Sequence, residues 1–304
     1  MGVSVPATVE ATPDLLPAPA LRLAAVRELL RPVTLLPVVA IAVFFGFLGA
    51  GRVVGGVDLL RLLLAGSLLV VANGLSNVVN GLGDWVEDSV HPVKQDRPTV
   101  NGAFDPSALL SVALFGWGAA VVLSVLFLPP IFTVLYLVIL AFAYGYSFPP
   151  RLKARFPLNM LAIATPRGAL GIAAAWVVFG SFWDPRLWLV LAVTVPYVLL
   201  ANESRNIADR EADAYAGVQT VATIWGERAS RTVTAVGFLV PAAVALAAWP
   251  FYVARDPWLL LTLPLAGAGA VAALRWDGTR VWRLFYVGFG LIAVLFFLPL
   301  VAPL

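Results

Sequence analysis

Two rows of amide and carboxylate side chains interrupt otherwise apolar stretches of this sequence. Within each row the residues recur at steps of three or four, which places them on one face of an α-helix. The first row comprises Asn73, Asn77, Asn80, Asp84 and Asp88, and the second Asn202, Asn206, Asp209 and Asp213. Hard oxygen ligands suit Mg²⁺, which takes one or two carboxylates and keeps its other positions for water and phosphates. Two such faces can converge on divalent cations and, through them, on a diphosphate.

The elements that must position these rows are membrane helices. Of the 304 residues, 61% are hydrophobic and 12% charged, whereas soluble proteins are about half apolar and about a quarter charged. About nine apolar stretches are long enough to cross a bilayer. They are residues 33–51, 60–83, 107–128, 131–147, 158–180, 187–206, 231–250, 257–274 and 283–302. The sequence therefore predicts an all-α, polytopic membrane protein with about nine helices around a central cavity, because membrane-buried ionisable groups face an interior or water.

The domain organisation is simple. Residues 1–20 are polar and Pro-rich, and we expect a flexible N-terminal tail there. Residues 21–304 are expected to form one membrane domain, in which residues 21–31 (LRLAAVRELLR) are an amphipathic helix at the membrane surface.

Basic residues predict the orientation of the spans. With the N-terminus inside, fifteen of the 20 Lys and Arg residues fall on the inner side, four fall outside, and Arg167 lies within the fifth span. The positive-inside rule therefore places the N-terminus and both carboxylate-bearing loops in the cytoplasm.

Several kinds of site are excluded by composition. The chain has no cysteine, so disulfides and thiolate metal sites are ruled out. Its single histidine, His91, argues against a histidine-based zinc or haem site, and we interpret it as an ordinary loop residue. Membrane lipid is an expected partner, and nucleic acid is not.

Four short motifs occur in order along the chain. They are NGLGDWVED at 80–88, QDRPTVNG at 95–102, YSFPPRLKARFPLN at 146–159 and RNIADREADAYAGVQTVATIWG at 205–226. In these motifs, their order and the number of spans, the chain resembles the UbiA superfamily of intramembrane prenyltransferases from about Arg31 to its end. It departs from the family pattern at Gly81 and Asn206, where many members have Asp, and at Arg205, where Lys is frequent.

The resemblance implies a site and a reaction. Mg²⁺ would be held by both aspartate pairs, with one Asn in each row as a supporting ligand: Asn80, Asp84, Asp88, Asn206, Asp209 and Asp213. Lys153 would contact the diphosphate of a polyprenyl diphosphate donor. Such an enzyme transfers the isoprenoid chain to an acceptor, and we favour an aromatic quinone precursor. Transfer to a glyceryl phosphate lipid and terpene cyclisation are alternatives, and a cation-coupled transporter is a more remote one.

Other candidates follow from position alone. Arg97 and Arg205 stand close to the acids and could neutralise the leaving diphosphate, or they could be ordinary positive-inside residues. Tyr146 could hydrogen-bond the diphosphate or lie at the membrane interface. The candidates for substrate binding are Asn73, Asn77, Asn202 and Arg167. Arg167 would lie roughly 15 Å into its helix, where it could hold an anionic group of the acceptor or neutralise the acidic rows.

Overall fold

The structure, a computed structural model, describes residues 19–91, 94, 96–248, 250 and 257–301, and the regular elements in this part of the chain are helical throughout. Twelve helices are defined here. They are α1 Pro19–Leu30, α2 Pro32–Ala50, α3 Gly56–Gly83, α4 Trp85–Val90, α5 Pro106–Phe127, α6 Pro130–Ser147, α7 Leu158–Trp176, α8 Pro185–Ala201, α9 Ser204–Tyr215, α10 Val221–Ala247, α11 Pro257–Arg275 and α12 Gly278–Val301.

The described residues contain nine helices that are long and apolar enough to cross a membrane, with α8 and α9 together making the sixth. The predicted all-α membrane fold is thereby confirmed. The seventh span begins at Val221, ten residues before the predicted boundary at 231. The prediction missed its first turns because charged residues such as Glu227 lower their hydropathy. A capping box of Thr220 and Thr223 begins α10, and Gly226, with φ of 84°, kinks it.

Helix α1 coincides with the segment expected to lie on the membrane surface. That location remains a prediction, and the predicted tail lies almost wholly outside the described residues. The junction between α1 and α2 is sharp because Arg31 adopts a left-handed conformation with φ of 50°.

Proline and aspartate define where several spans begin. Pro32, Pro106, Pro130 and Pro185 lie in the first turns of α2, α5, α6 and α8. There the missing amide hydrogen has no helical partner to lose, and the fixed φ suits the helix. Asp184 caps α8 by accepting a hydrogen bond from the backbone N–H of Arg186 at 2.9 Å.

The spans approach one another closely at glycines. A Cβ on Gly237 of α10 would clash with the backbone of Ala201 at the end of α8, and one on Gly49 would clash with the carbonyl of Trp176. Small residues allow this approach in membrane bundles, where packing replaces the hydrophobic driving force between helices. The contact at Gly237 therefore fixes the position of Ala201, the residue that precedes the second acidic row.

Candidate active site

Each acidic row is broken once, where a continuous helix was expected. Helix α3 ends at Gly83, Asp84 has φ of −92° and ψ of 7°, and α4 begins at Trp85. The second row is broken at Asn202 and Glu203, between α8 and α9. Both breaks occur where the polar rows leave the apolar part of their spans, so the terminal acids lie on short helices that can tilt toward each other.

Lys153 lies directly against the first row. Its Nζ atom contacts Asp84 Oδ1, lies 2.7 Å from Glu87 Oε1 and donates to the Gly83 carbonyl at 3.3 Å. Gly83 is required here because a Cβ would come within 2.7 Å of Ser147 Cβ at the end of α6. Asn80 donates from Nδ2 to Asp84 Oδ1 at 3.1 Å, which fixes the orientation of that carboxylate.

The departure from the family pattern at Gly81 has a local cause. A Cβ on Gly81 would lie 3.1 Å from Cγ2 of Thr99, in the loop that follows α4. That loop packs onto α3 at this point, and an aspartate at position 81 would require it to move. This conformation of the loop therefore depends on having glycine at position 81.

The same loop links the two acidic rows. Arg97 binds Asp88 with 2.6 Å between Nη1 and Oδ2, and Lys94 binds Asp209 with 2.6 Å between Nζ and Oδ1. Lys94 Nζ also lies 4.0 Å from Asp88 Oδ1. The Asp88 side chain is only 1% exposed. Burial raises the pKa of Asp88 while Arg97 opposes the rise, and burial lowers the pKa of Lys94.

The second row is held by its own helix and by α10. Arg205 Nε lies 3.0 Å from Asp209 Oδ2, and its guanidinium stacks over the ring of Trp282 with 4.9 Å to the centroid. Asn206 donates from Nδ2 to Glu203 Oε2 at 2.7 Å. Glu203 is 1% exposed, and its other oxygen accepts hydrogen bonds from the Ser230 hydroxyl and the Ala222 amide.

The predicted substrate-binding asparagines differ in position. Asn77 donates to the Thr34 hydroxyl at 2.8 Å and to the Leu30 carbonyl at 2.9 Å, and Asn73 donates to the Thr34 carbonyl at 3.1 Å. Both amide groups therefore fasten α3 to the junction of α1 and α2 while bordering the cavity. Asn202 is buried at the break before α9 and also lines the cavity.

Five residues near the site were not identified from sequence: Arg31, Glu87, Lys94, Asn159 and Glu203. Arg31 donates to Asn80 Oδ1 at 3.2 Å, and burial lowers its pKa to about 10. Glu87 and Asn159 stand within the motifs at 80–88 and 146–159 and could have been found there, whereas Lys94 and Glu203 lie outside the four motifs and are recognisable only once the helices are assembled. His91 was interpreted as an ordinary loop residue, yet its Nε2 lies 3.5 Å from Asp209 Oδ1.

One cavity of about 890 Å³ brings these groups together. All fourteen predicted site residues line it, including Tyr146 and Arg167. Its wall carries seven basic and seven acidic side chains from the described residues. Below this charged end the lining becomes apolar, with Val38, Leu69 and Ile139. A ligand with an anionic head and a hydrocarbon tail matches that division.

The donor set fits Mg²⁺ on chemical grounds. The six predicted ligands all offer carboxylate or amide oxygens, and all line the same cavity. Within the described residues, no three Asp, Glu or His side chains come close enough to hold one ion by themselves. Mg²⁺ does not require such a cluster, because it is usually bound through one or two carboxylates, water and substrate phosphates.

In the part of the chain that the structure describes, nine apolar helices and an internal cavity lined with charged residues define an integral membrane protein with a buried polar site. Residues 36–297 match the sequence model of the UbiA prenyltransferase family. The chain therefore belongs to the UbiA prenyltransferase family, and it is a prenyltransferase. This membership removes the cation-coupled transporter from the alternatives.

Solved structures share the fold at low sequence identity. A UbiA homologue from Archaeoglobus fulgidus bound to GPP and Mg²⁺ is 20% identical, with a TM-score of 0.69 over 91% of this chain and 99% of its own. The apo UbiA homologue from Aeropyrum pernix K1 is 19% identical, with a TM-score of 0.68 over 84% and 96%. A digeranylgeranylglyceryl phosphate synthase is 15% identical, with a TM-score of 0.66 over 91% and 98%. No curated protein matches the chain.

Proposed function

We propose that this chain is a Mg²⁺-dependent enzyme that transfers an isoprenoid chain from a polyprenyl diphosphate to an acceptor, an aromatic quinone precursor in the favoured case. The observation that carries the proposal is that oxygen ligands from both acidic rows and the Lys153 ammonium line one cavity. The homologue bound to GPP and Mg²⁺ supports the donor and the metal.

The predicted metal ligands come from both acidic rows. Asn80, Asp84 and Asp88 from the first row, with Asn206, Asp209 and Asp213 from the second, would hold Mg²⁺. Bound there, the metal neutralises charge on the diphosphate. The Asn80 amide, held by Arg31 on one side and hydrogen-bonded to Asp84 on the other, keeps that carboxylate turned toward the cavity.

Basic side chains complete the binding of the leaving group. Lys153 lies against Asp84 and Glu87, so its ammonium is fixed before substrate arrives and can bind a diphosphate oxygen without reorganisation. Arg97 and Arg205 each hold one acid and add positive charge behind it. When the allylic C–O bond breaks, diphosphate leaves with the electron pair. The acceptor then forms the new bond to carbon and loses a proton.

The reaction is proposed to face the cytoplasm. Lys153, Arg97 and Arg205 all contact acids at the same end of the bundle, and the excess of basic residues in the loops of that end supports a cytoplasmic location. The apolar part of the cavity would take the isoprenoid tail.

The test is Mg²⁺-dependent release of diphosphate by the purified protein in lipid, supplied with geranylgeranyl diphosphate with or without acceptors. We expect release that needs an acceptor and is lost in Asp84→Asn and Asp209→Asn. Asp58→Asn is the matched control, because it makes the same charge change at the opposite end of α3. Among the residues that the structure describes, the ion-pair partner of Asp58 is Arg52, at the surface. Release without acceptor would indicate a cyclase. If neither geranylgeranyl diphosphate nor shorter and longer polyprenyl diphosphates give release with any acceptor, the proposed activity is refuted.

A further inference from the structure

Arg167 is a basic residue inside a membrane-spanning helix and not at its end. It lies ten residues beyond Pro157 in the continuous helix α7, or about 15 Å along the axis at 1.5 Å per residue. Its side chain lines the cavity, well below the loop that carries Lys153. A charged group at this depth is costly unless it is paired or used.

The backbone around Arg167 is specialised. Residues Thr165–Leu170 form a π-helical turn, and Pro166 within it has no amide hydrogen to donate. The Gly168 carbonyl, two residues further on, accepts a hydrogen bond from the Thr194 hydroxyl of α8 at 2.7 Å. A Cβ on Gly168 would lie 3.0 Å from the Thr194 carbonyl, so α7 and α8 are locked together here. Such single π-turns are frequent at functional sites.

Arg167 has one direct partner among the described residues. Its Nη1 donates to the Tyr286 hydroxyl of α12 at 3.0 Å. None of the ion pairs formed within the described ranges includes it, so it does not contact the acids of either row. A guanidinium offers five N–H donors. The tyrosine accepts from one and fixes the orientation of the group, and the remaining donors border the cavity.

A second unsatisfied polar group lies on the same face of α7. Asn159 is 3% exposed and lines the cavity, and its Oδ1 accepts no hydrogen bond from the described residues. Asn159, Ile163 and Arg167 follow at steps of four, so they form one stripe from the Lys153 end of the cavity inward. Buried polar groups need partners. Arg167 and Asn159 both line the cavity, and the Asn159 Oδ1 atom is itself buried in the cavity wall.

We propose that Arg167, positioned by Tyr286, binds an oxyanion of the acceptor, and that this enzyme therefore prenylates an acceptor bearing a carboxylate or a phosphate. This inference rests on the proposed prenyl transfer and specifies its acceptor class. Guanidinium binds both oxyanions through paired N–H donors.

The experiment compares acceptors that differ in one charge. One pair is a hydroxybenzoate and the matching hydroxybenzyl alcohol, and the other is a glyceryl phosphate ether lipid and its dephosphorylated alcohol. KM and kcat are measured for the wild type, Arg167→Gln, Arg167→Lys and Tyr286→Phe. Arg52→Gln and Tyr144→Phe are matched controls, since both side chains are exposed and neither residue lines the cavity.

We expect the wild type to prefer the anionic member of one pair, which identifies the oxyanion as carboxylate or phosphate. Arg167→Gln should raise KM for that acceptor about ten- to a hundredfold, as for the loss of a charge-assisted hydrogen bond. The donor KM and the KM of the neutral acceptor should stay unchanged. Arg167→Lys should recover part of the loss, and Tyr286→Phe should cause a smaller rise. Equal effects on charged and neutral acceptors, or a wild-type preference for neutral ones, would overturn the proposal.

Equilibrium binding separates this proposal from the proposed reaction. Hydroxybenzoate and the glyceryl phosphate lipid are titrated into the wild type and Arg167→Gln without donor or Mg²⁺. Tighter binding of one of them to the wild type supports the oxyanion site even if no turnover is found. Binding that is equal in the two proteins refutes the site even if prenyl transfer is observed.

Discussion

At the scale of single residues, the site consists of charges that hold one another in place. Lys153 is the clearest case, because it contacts Asp84 of the first row and also Glu87, three residues further along the chain. The ammonium is buried, so its position is set by these acids and not by solvent. A fixed cation of this kind stabilises a leaving anion more than a mobile one does.

Lys153→Met is expected to lower the rate of diphosphate release about 10²- to 10³-fold, the usual effect of removing one preorganised donor. Single-turnover release at saturating donor measures the effect on the chemical step. Arg155→Gln is the control, because it removes an exposed positive charge from the same loop and should change the rate little. An equal loss in both variants would assign the effect to loop charge in general.

The sequence predicted the residues of the two acidic rows but not how they are connected. Periodicity identified Asp84, Asp88, Asp209 and Asp213, because ionisable residues are conspicuous in apolar segments. The pairing of Lys94 with Asp209 across 115 positions depends on how the loop folds over α3, which no local pattern specifies. Glu203 was overlooked for the same reason, since its partners Ser230 and Ala222 belong to the next helix.

At the scale of elements, close helix contacts decide where the motifs lie. Gly83 ends α3 against Ser147 of α6, and the residue that follows is Asp84. Hydropathy predicted the spans, because their length and composition are set by the bilayer. It could not predict the breaks before α4 and α9, which arise from tertiary contacts.

Gly83→Ala is expected to destabilise the protein by about 1–3 kcal/mol, because the new methyl group overlaps Ser147. Activity should fall as well, since the Gly83 carbonyl accepts from Lys153. Thermal unfolding in detergent and diphosphate release are the measurements. Gly118→Ala is the matched control in α5, where a Cβ meets nothing within 4 Å, and it should be neutral or stabilising. Comparable losses in both variants would contradict the packing argument.

The cap of α8 predicts a pH dependence of stability. A hydrogen bond from the Arg186 side chain holds the pKa of Asp184 below its ordinary value of 3.8. The folded state therefore gains stability from the ionised carboxylate above that value and loses it as pH falls through the lower, folded pKa. Asp184→Ala should cost about 1 kcal/mol at neutral pH, and the gap from the wild type should narrow in acid. Asp184→Asn retains a capping oxygen, so it should lose less stability than Asp184→Ala at neutral pH. An equal loss of stability in the two variants would contradict the role of the cap.

At the scale of the whole molecule, the absence of cysteine makes the orientation directly measurable. Arg155→Cys places an exposed thiol at the end of the bundle that carries the site, and Val53→Cys places one in the loop at the opposite end. A membrane-impermeant maleimide should label Arg155→Cys only in inverted vesicles and Val53→Cys only in right-side-out vesicles. The reverse pattern would place the site outside and contradict the positive-inside prediction.

The equal numbers of basic and acidic side chains around the cavity have a consequence for how substrate loads. A bare Mg²⁺ or a bare diphosphate would each leave uncompensated charge in a site surrounded by hydrocarbon, whereas the two together nearly cancel. Their affinities should therefore be synergistic, and by thermodynamic linkage the enhancement must be reciprocal. The donor concentration needed for half-saturation should fall as Mg²⁺ rises, and the Mg²⁺ requirement should fall as donor rises.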